Sequence, residues 1–527
     1  MFELQEFLLE NQPTRKELLE YVPRSSNEIR ICVYRNHSFE LIEHTIGAYL
    51  DFSNIKASFL YSDYDDSLSF LNLELSADLL ILWLDLSRYK TDDIEVFLND
   101  RIKVLKDKFD KPILFVGING SVTICDKHIA CVDLSQIELK LGNKFLDERF
   151  EFATGTKLSS QALLQISKEL GLRYIPAMTM PLLKAIVVDL DNTLYKGVLG
   201  EDGINGIVLT EGHAKLQKAL KEKAKEGFFL CIVSKNDKRD VVELFEKRED
   251  FLLKLDDFTA IEASWDDKPR SMSTILQILN IGVDSVLFVD DNLGEQAQMR
   301  LKYPGIKELH ALDDAMQTVA ALEYYPGLLK MSARDEDALR SNDIKSNAER
   351  KKMQATLSKT DYIKSLQMKL TFNVNVKSYA PRIAELANKT NQFIFNYQRY
   401  DLAMVEKLME MPDVAVVSVV LSDKLSDSGT VGVCVGKRNG HAMDLEECFV
   451  SCRALGRGID EIIVLDMIEL AAETLGVNNL RVCFKKGERN IPAELFVDKY
   501  LKKYINHVAP IDFLVDNSLV EIQNIRG

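Results

Sequence analysis

The chain has 527 residues, 46% of them hydrophobic and 28% charged, which excludes a single-core protein and predicts two to four globular domains. Its formal net charge of −15 argues against non-specific nucleic-acid binding, and its eight scattered cysteines, none in a CxxC pair, exclude a disulfide framework or a thiolate zinc site. Because no apolar run is long enough to span a bilayer and the first residues lack a signal-peptide pattern, we expect a cytoplasmic protein with no membrane partner.

Residues 1–175 have the pattern of an α/β domain. Three apolar runs of strand length, Ile29–Tyr34, Leu79–Leu84 and Pro112–Gly117, are separated by helical stretches. The polar segment Arg35–Ser38 follows the first run, where an α/β fold often places a functional loop. A lone serine or histidine at such a place is usually structural, so we predict little chemistry here.

Residues 180–330 alternate between strand and helix patterns. The runs Ala185–Val188, Phe228–Val233 and Val286–Val289 are continuously apolar, as expected for strands covered on both faces. A helix is predicted over Ala214–Lys225, with Gly227 ending it. The alternating order predicts an open parallel sheet, which binds ligands at the carboxyl ends of its strands.

Polar side chains follow the predicted strands of this domain. Asp189 and Asp191 come directly after the first strand in a D-x-D-x-T pattern, which is also ordinary turn chemistry. Two carboxylates this close raise each other's pKa unless a cation offsets them, and an oxygen-only ligand set favours Mg²⁺. The other polar clusters, at or near the ends of later strands, contain Ser234, Lys268, Asp290 and Asp291.

Together these side chains supply the parts that phosphoryl transfer needs. Asp189 would attack phosphorus to give an aspartyl phosphate, and Asp191 would protonate the leaving group and then activate water. Ser234 and Lys268 would hold the phosphate. The predicted Mg²⁺ ligands are Asp189, Asp191, Asp290 and Asp291.

These four clusters, in this order, resemble the four motifs of the haloacid dehalogenase (HAD) superfamily. The resemblance implies a central Rossmannoid parallel sheet and an enzyme of the phosphoaspartate phosphatase type. The segment between Asp191 and the helix at Ala214 is too short for a large cap domain. A site without a lid favours a macromolecular or carrier-tethered substrate. The alternative is a degenerate fold of this kind without catalysis.

A more specific resemblance extends over nearly the whole chain. The stretch DLDNTLYKGVLGEDG, residues 189–203, looks like the D-L-D-N-T-L segment and Gly-x-x-Gly-Glu-Asp-Gly tail of FkbH-like proteins. Further agreement lies in residues 233–237, 265–268, 288–292, 388–393 and 451–458.

The second resemblance implies an α/β multidomain protein. Its parts would be an SGNH-hydrolase-like α/β domain (1–175), a HAD-like phosphatase domain (180–330), a helical connector (331–365) and a GNAT-like α+β acyltransferase domain (366–527). Family members of known activity take a glyceryl group from 1,3-bisphosphoglycerate, dephosphorylate it and load it as a thioester on an acyl carrier protein. The Gly-Asp-Ser nucleophile block of SGNH hydrolases is replaced here by Arg35–Ser38, so we predict docking rather than hydrolysis in the first domain.

The C-terminal residues change to a β-rich order. Met368–Val376 alternates strictly between apolar and polar residues, as a half-buried strand does. Val414–Leu421 and Val431–Val435 are predicted to form a hairpin, and Glu446–Ser451 a further strand. A glycine-containing turn then opens a helix over Ile459–Leu475.

That turn, Arg453-x-x-Gly456-x-Gly458, would aim backbone N–H groups and a helix dipole at an anion such as the phosphate of pantetheine. Cys452 lies beside it, where a lowered thiol pKa would suit a covalent glyceryl carrier, although a buried small hydrophobe is the alternative. Asn490 belongs to a segment that resembles the later acyl-thioester-binding segment of GNAT folds, and it joins the predicted binding residues. The predicted residues for phosphopantetheine or a CoA thioester are Arg453, Gly456, Arg457, Gly458 and Asn490. A basic patch for an acidic carrier protein, or simply a solvated face, would contain Arg453, Arg457, Lys485, Lys486 and Arg489.

The sequence leaves three functions open. The leading one is a magnesium-dependent HAD-type phosphatase fused to an acyltransferase. It would take a glyceryl or similar group from a small phosphorylated three-carbon acyl donor and load it on the thiol of an acyl carrier protein. The second is a GNAT-type acyltransferase acting on a sugar or amine in surface-polysaccharide or secondary-metabolite assembly. The third is a non-catalytic assembly module.

Overall fold

The protein is a multidomain α/β chain, seen here in a computed structural model. It divides into two compact units, Met1–Leu276 with Ile281–Ala333, and Arg334–Gly527 with Gln277–Asn280. No helix among the described residues is both long and apolar enough to cross a membrane. The described residues are 2–64, 68–70, 74–109, 111–126, 129–279, 281–331, 346, 350, 353–354, 356–390, 392–451, 453–455, 457–487 and 490–527.

The first unit begins with a five-stranded parallel sheet in the order β2-β1-β3-β4-β5. Strand β3 is buried along its whole length, as its unbroken apolar sequence predicts. The strands are β1 (Asn27–Arg35), β2 (Ile55–Tyr61), β3 (Leu79–Asp85), β4 (Ile113–Ile118) and β5 (Ile129–Cys131). The helices are α1 (Phe2–Gln5), α2 (Arg15–Glu20), α3 (Glu40–Phe52), α4 (Ile94–Lys106), α5 (Ser135–Leu141), α6 (Glu151–Thr154), α7 (Ser160–Glu169) and α8 (Ile175–Thr179).

A second five-stranded parallel sheet completes this unit, in the order β10-β9-β6-β7-β8. Strand β6 is central, and β7 and β9 flank it. The strands are β6 (Ala185–Val188), β7 (Phe229–Ser234), β8 (Ala260–Ala263), β9 (Val286–Asp290) and β10 (Lys307–His310). The helices are α9 (Leu199–Gly206), α10 (Glu211–Lys225), α11 (Lys238–Lys247), α12 (Lys268–Leu279), α13 (Leu293–Lys302) and α14 (Ala315–Glu323).

Helix α10 shows how the sequence sets local structure. The Thr210 side chain accepts the backbone N–H of His213, which caps the first turn. Leu216 and Leu220, four residues apart, bury one face against the sheet core. The helix ends before Gly227, whose φ of +89° is a conformation that glycine adopts readily.

The connection from β6 to α10 is short. All residues from 189 to 210 are described, and α9 is the single helix among them. The carboxyl edge of the central strand is therefore not covered by a large inserted domain within this connection, as the sequence predicts.

The second unit contains a seven-stranded mixed sheet in the order β16-β15-β14-β13-β12-β11-β17. The predicted hairpin is confirmed as the antiparallel pair β12 and β13. The strands are β11 (Lys369–Val374), β12 (Val414–Ser422), β13 (Asp427–Asn439), β14 (Ala442–Val450), β15 (Asn479–Val482), β16 (Ala509–Pro510) and β17 (Glu521–Arg526). Its helices are Lys359–Leu366, Ala380–Lys389, Leu402–Glu410, Asp460–Leu475 and Ile491–Phe496. The finer domain boundaries stay a prediction.

Candidate active site

The carboxyl ends of three neighbouring strands bring the predicted phosphate residues together. Asp189 follows β6, Ser234 ends β7 and Asp290 ends β9. Lys268, the first residue of α12, places its Nζ 3.1 Å from Asp189 Oδ2 and 2.6 Å from Asp290 Oδ2. All four side chains are buried, so this ion-paired group is shielded from bulk water.

A group of three carboxylates lies at this edge. One oxygen each of Asp189, Asp290 and Asp291 lies within 4.8 Å of the other two. The Oδ1 atom of Asp189 is buried and accepts no hydrogen bond from any described residue. A buried acceptor without a donor, beside two further carboxylates, fits a divalent cation, and the all-oxygen ligand set fits Mg²⁺.

The electrostatics of the site are those of crowded, buried carboxylates. Burial raises the pKa of Asp189, and the charge of Lys268 and a hydrogen bond with Ser234 oppose that rise. Burial and the charge of Asp189 raise the pKa of Asp290 to about 7 and that of Asp291 to about 6. Burial alone would lower the pKa of Lys268, but the combined effect of Asp189 and Asp290 is larger and raises it. One lysine thus does not balance three carboxylates.

We expect the metal-free protein to lose stability as the pH rises. The folded-state pKa values of Asp290 and Asp291, about 7 and about 6, lie above the ordinary 3.8. The two carboxyl groups therefore add most to the free energy of unfolding below pH 3.8, where they are protonated. That contribution is lost as the pH rises to about 7. Mg²⁺ should raise Tm more at about pH 8 than at about pH 5, because protons compete with it. Calorimetry with EDTA and with Mg²⁺ measures this, and an equal Mg²⁺ shift at both pH values would contradict it.

The carboxylate of Asp191 is outside the three-carboxylate group. Its Oδ1 accepts the Tyr195 hydroxyl at 2.7 Å and the Leu199 backbone N–H at 2.9 Å. Its Oδ2 accepts Asn236 Nδ2 at 2.9 Å, and the same amide lies 3.1 Å from Ser234 Oγ. Asn236 thus links Asp191 to Ser234, and the Asp191 carboxylate serves as a hydrogen-bond acceptor. The predicted roles of Asp191 as proton donor, base and Mg²⁺ ligand stay predictions.

Sequence reasoning missed Tyr195 and Asn236. Both are buried, and both donate to Asp191. The only sequence signal was proximity, since Tyr195 lies four residues after Asp191 and Asn236 two residues after Ser234. Nothing in that spacing shows that two separate strand ends converge on one carboxylate.

In the second unit, the two arginines of the predicted anion site are buried and bonded inside the protein. Arg453 donates to the carbonyl oxygens of Ser428 and Thr430. Arg457 lies 3.0 Å from Asp423 Oδ2 and donates to Ser428 Oγ at 2.8 Å. With 6% and 3% of their surface exposed, Arg453 and Arg457 cannot belong to an exposed basic patch. Of the other predicted residues, Gly458 has φ +80°, and Cys452, Gly456 and Arg489 lie outside the described residues.

Asn490 is also used internally. Its Nδ2 donates to the carbonyl oxygens of Ile394 and Lys485, both at 3.0 Å, and its Oδ1 accepts the Gly487 N–H. Ile394 in turn forms an antiparallel bridge with Phe449 of β14. The side chains of Arg453, Arg457 and Asn490 are therefore bonded within the domain, and their predicted role at a thioester stays a prediction.

A buried clamp in this unit gives a stability prediction. Asp423 accepts two hydrogen bonds from Arg350 and one from Arg457, and all three charged groups are almost fully buried. Replacing Asp423 by Ala leaves two buried guanidinium groups without their carboxylate, which should lower the free energy of unfolding by about 3–5 kcal/mol. Urea unfolding measures the loss. The exposed Asp516, changed to Ala, is the matched control, and equal midpoints for the two variants would contradict the prediction.

The first domain shows a buried, neutral histidine where a functional loop was considered. His37 Nδ1 lies 2.9 Å from Thr156 Oγ1, and its ring stacks on Trp83 at 4.8 Å. Burial lowers the pKa of His37 to about 3. Arg35 is paired with Glu40. This loop is packed into the domain, and the predicted docking role stays a prediction.

Comparisons with known proteins give distant likenesses. No family model matches the chain, and no curated protein matches it. A similar solved structure is the N-terminal part of BF1531 from Bacteroides fragilis, which contains a phosphatase domain complexed with Mg. It is 21% identical in sequence, the match covers 60% of this chain and 98% of that chain, and the TM-score is 0.48.

Two further solved structures are less similar. The haloacid dehalogenase-like hydrolase SP0104 from Streptococcus pneumoniae is 15% identical, with 27% of this chain and 91% of that chain covered and a TM-score of 0.19. A predicted phosphatase from Clostridium acetobutylicum is 14% identical, with 35% and 70% covered and a TM-score of 0.19. Because each TM-score is below 0.5, the function has to rest on the chemistry of the site.

Proposed function

We propose that the protein is a Mg²⁺-dependent phosphatase of the phosphoaspartate type joined to an acyltransferase. The observation that carries the phosphatase half is Asp189 Oδ1. This atom is buried and has no donor among the described residues, beside Asp290 and Asp291, while Lys268 holds the other oxygen. Such an oxygen is positioned to attack phosphorus or to bind the metal ion, and both uses belong to phosphoryl transfer.

Each residue then has a chemical task. Asp189 attacks phosphorus and forms the new P–O bond as the bond to the leaving oxygen breaks. Asp191 gives a proton to a leaving alkoxide and later takes one from the water that cleaves the phosphoaspartate. Lys268 offsets the charge of the phosphate oxygens, and the Ser234 hydroxyl orients them by hydrogen bonding.

Mg²⁺, held by Asp189, Asp290 and Asp291, would supply positive charge to the phosphate. The raised pKa values of Asp290 and Asp291 are the cost of bringing these carboxylates together without that charge. The donor set therefore fits the ion in type and in charge.

The acyl-transfer half rests on the resemblance of the sequence. We propose that the thiol of an acyl carrier protein takes a glyceryl or similar small acyl group from an acyl phosphate. The new C–S bond forms as the bond between the acyl carbon and the phosphate oxygen breaks, phosphate leaves and the thiol proton passes to solvent, while the phosphatase half removes the ester phosphate of the same group. The connection from β6 to α10 contains only the short α9 and no large inserted domain, which supports a substrate carried on a macromolecule. The predicted role of Arg453, Arg457 and Asn490 in holding the thioester arm stays a prediction, and their side chains are bonded within the domain.

The experiment is to incubate the protein with Mg²⁺, 1,3-bisphosphoglycerate and a holo carrier protein, and to weigh the carrier. A mass gain equal to the glyceryl group, with release of phosphate, is the expected result. Phosphate release without any gain on the carrier would overturn the transfer half alone. No phosphate release from any three-carbon acyl phosphate would overturn the whole proposal and favour a non-catalytic assembly module.

A further inference from the structure

The two oxygens of the Asp191 carboxylate have different surroundings. Oδ1 accepts two hydrogen bonds from the connection that follows β6, one from the Tyr195 hydroxyl at 2.7 Å and one from the Leu199 backbone N–H at 2.9 Å. Within the part of the chain that the structure describes, Oδ2 has a single donor, Asn236 Nδ2 at 2.9 Å. Two donors use both lone pairs of a carboxylate oxygen, so Oδ2 is the oxygen left for exchange with a substrate or a water molecule.

Tyr195 is held so that its hydroxyl stays on Oδ1. None of its surface is exposed, and its ring stacks on that of Phe251, with 5.9 Å between the ring centroids. A parallel bridge joins its backbone to that of Asp191. Because a buried hydroxyl that loses its hydrogen-bond partner costs free energy, Tyr195 fixes the direction of the Asp191 carboxylate.

The other oxygen of Asp191 is connected to the residues that would hold the phosphate. The Asn236 amide that donates to Oδ2 also lies 3.1 Å from Ser234 Oγ, and Ser234 hydrogen-bonds Asp189. Asp191 itself is only half-buried, whereas Tyr195 and Asn236 are buried. Water can therefore reach Asp191, but not the two side chains that donate to it.

We propose that Tyr195 is a positioning residue, which holds Asp191 Oδ1 so that Oδ2 is the atom that takes the proton of the attacking water. In that step the water oxygen bonds to phosphorus, the bond between phosphorus and the Asp189 oxygen breaks, and the proton moves to Oδ2. Asp189 is released as a carboxylate, and phosphate leaves. The inference rests on the proposed phosphatase function and adds what sets the direction of its base.

The test uses the full chain with Mg²⁺ and acetyl phosphate, whose acetate leaving group needs no proton. Samples quenched in acid at steady state give the amount of phosphoprotein by intact-protein mass spectrometry, and free phosphate gives the rate of release. The rate divided by that amount is the rate constant for hydrolysis of the phosphoaspartate, to which unfolded molecules do not contribute. In Tyr195→Phe, which keeps the ring, this rate constant should fall about ten-fold and phosphoprotein should accumulate.

The matched control is Tyr325→Phe, because Tyr325 is also a buried tyrosine and its hydroxyl donates to the carbonyl oxygen of Glu308, outside the candidate site. This variant should keep the wild-type rate constant. No gain of phosphoprotein in Tyr195→Phe, or an equal fall of the rate constant in Tyr325→Phe, would overturn the inference while the phosphatase stands. If the wild-type protein forms no phosphoprotein and releases no phosphate, both are overturned.

Discussion

Replacing Asp189 by Asn should lower phosphate release at least about a thousand-fold, because the attacking carboxylate oxygen is lost while the rest of the site is kept. The variant should fold and melt at the wild-type temperature or above it in EDTA. Burial raises the pKa of Asp189, so its ionised form costs free energy that the neutral amide does not. Initial rates with Mg²⁺ and thermal unfolding together measure both effects.

The matched control for this prediction is Asp313→Asn, at an exposed position after β10. It should keep full activity. Residual phosphate release above about a tenth of wild type in Asp189→Asn would show that another group attacks phosphorus.

Replacing Lys268 by Met should be damaging in two ways. Its Nζ is the ionic partner of both Asp189 and Asp290, so its loss leaves two buried carboxylates facing each other. We expect the free energy of unfolding to fall by about 3–5 kcal/mol in the absence of metal, and activity to be lost with it. Denaturant unfolding in EDTA measures the first effect and phosphate release the second.

A double variant separates the stability effect from the catalytic one. Adding Asp290→Asn to Lys268→Met removes one of the two unpaired carboxylates, so stability should largely return while activity stays lost. If Lys268→Met unfolds at the wild-type denaturant concentration in EDTA, the ion pairs are not holding the site together and this account of its electrostatics is wrong.

The central strands of the second parallel sheet could be predicted from the sequence, because they are buried on both faces and are therefore continuously apolar. Ala185–Val188, Phe228–Val233 and Val286–Val289 have continuous apolar sequences, and strands β6, β7 and β9 occur there within one residue at each end. Edge strands gave no such signal. Strand β10, Lys307–His310, has only its two middle residues buried. In β2 only the first residue is buried, and the others alternate between exposed and half-buried positions, with polar residues among them.

The site was predictable in part for a related reason. Parallel strands end at one edge, so Asp189, Ser234 and Asp290 had to be neighbours once the three strands were recognised. Hydrogen bonds across that edge depend on side-chain direction, which spacing does not reveal. This is why the donors to Asp191 were missed, and why Arg453, Arg457 and Asn490, predicted as ligand residues, prove to be buried in contacts with β13, its preceding loop and Ile394.

The most direct test of the central claim is to trap the phosphoaspartate. The protein is mixed with Mg²⁺ and acetyl phosphate, quenched and reduced with borohydride, which converts an aspartyl phosphate to homoserine. Peptide mass spectrometry should find homoserine at position 189, and nowhere else, only when both Mg²⁺ and the phosphate donor are present. Phosphate release with an unmodified Asp189, or homoserine at another aspartate, would contradict the claim that Asp189 is the nucleophile.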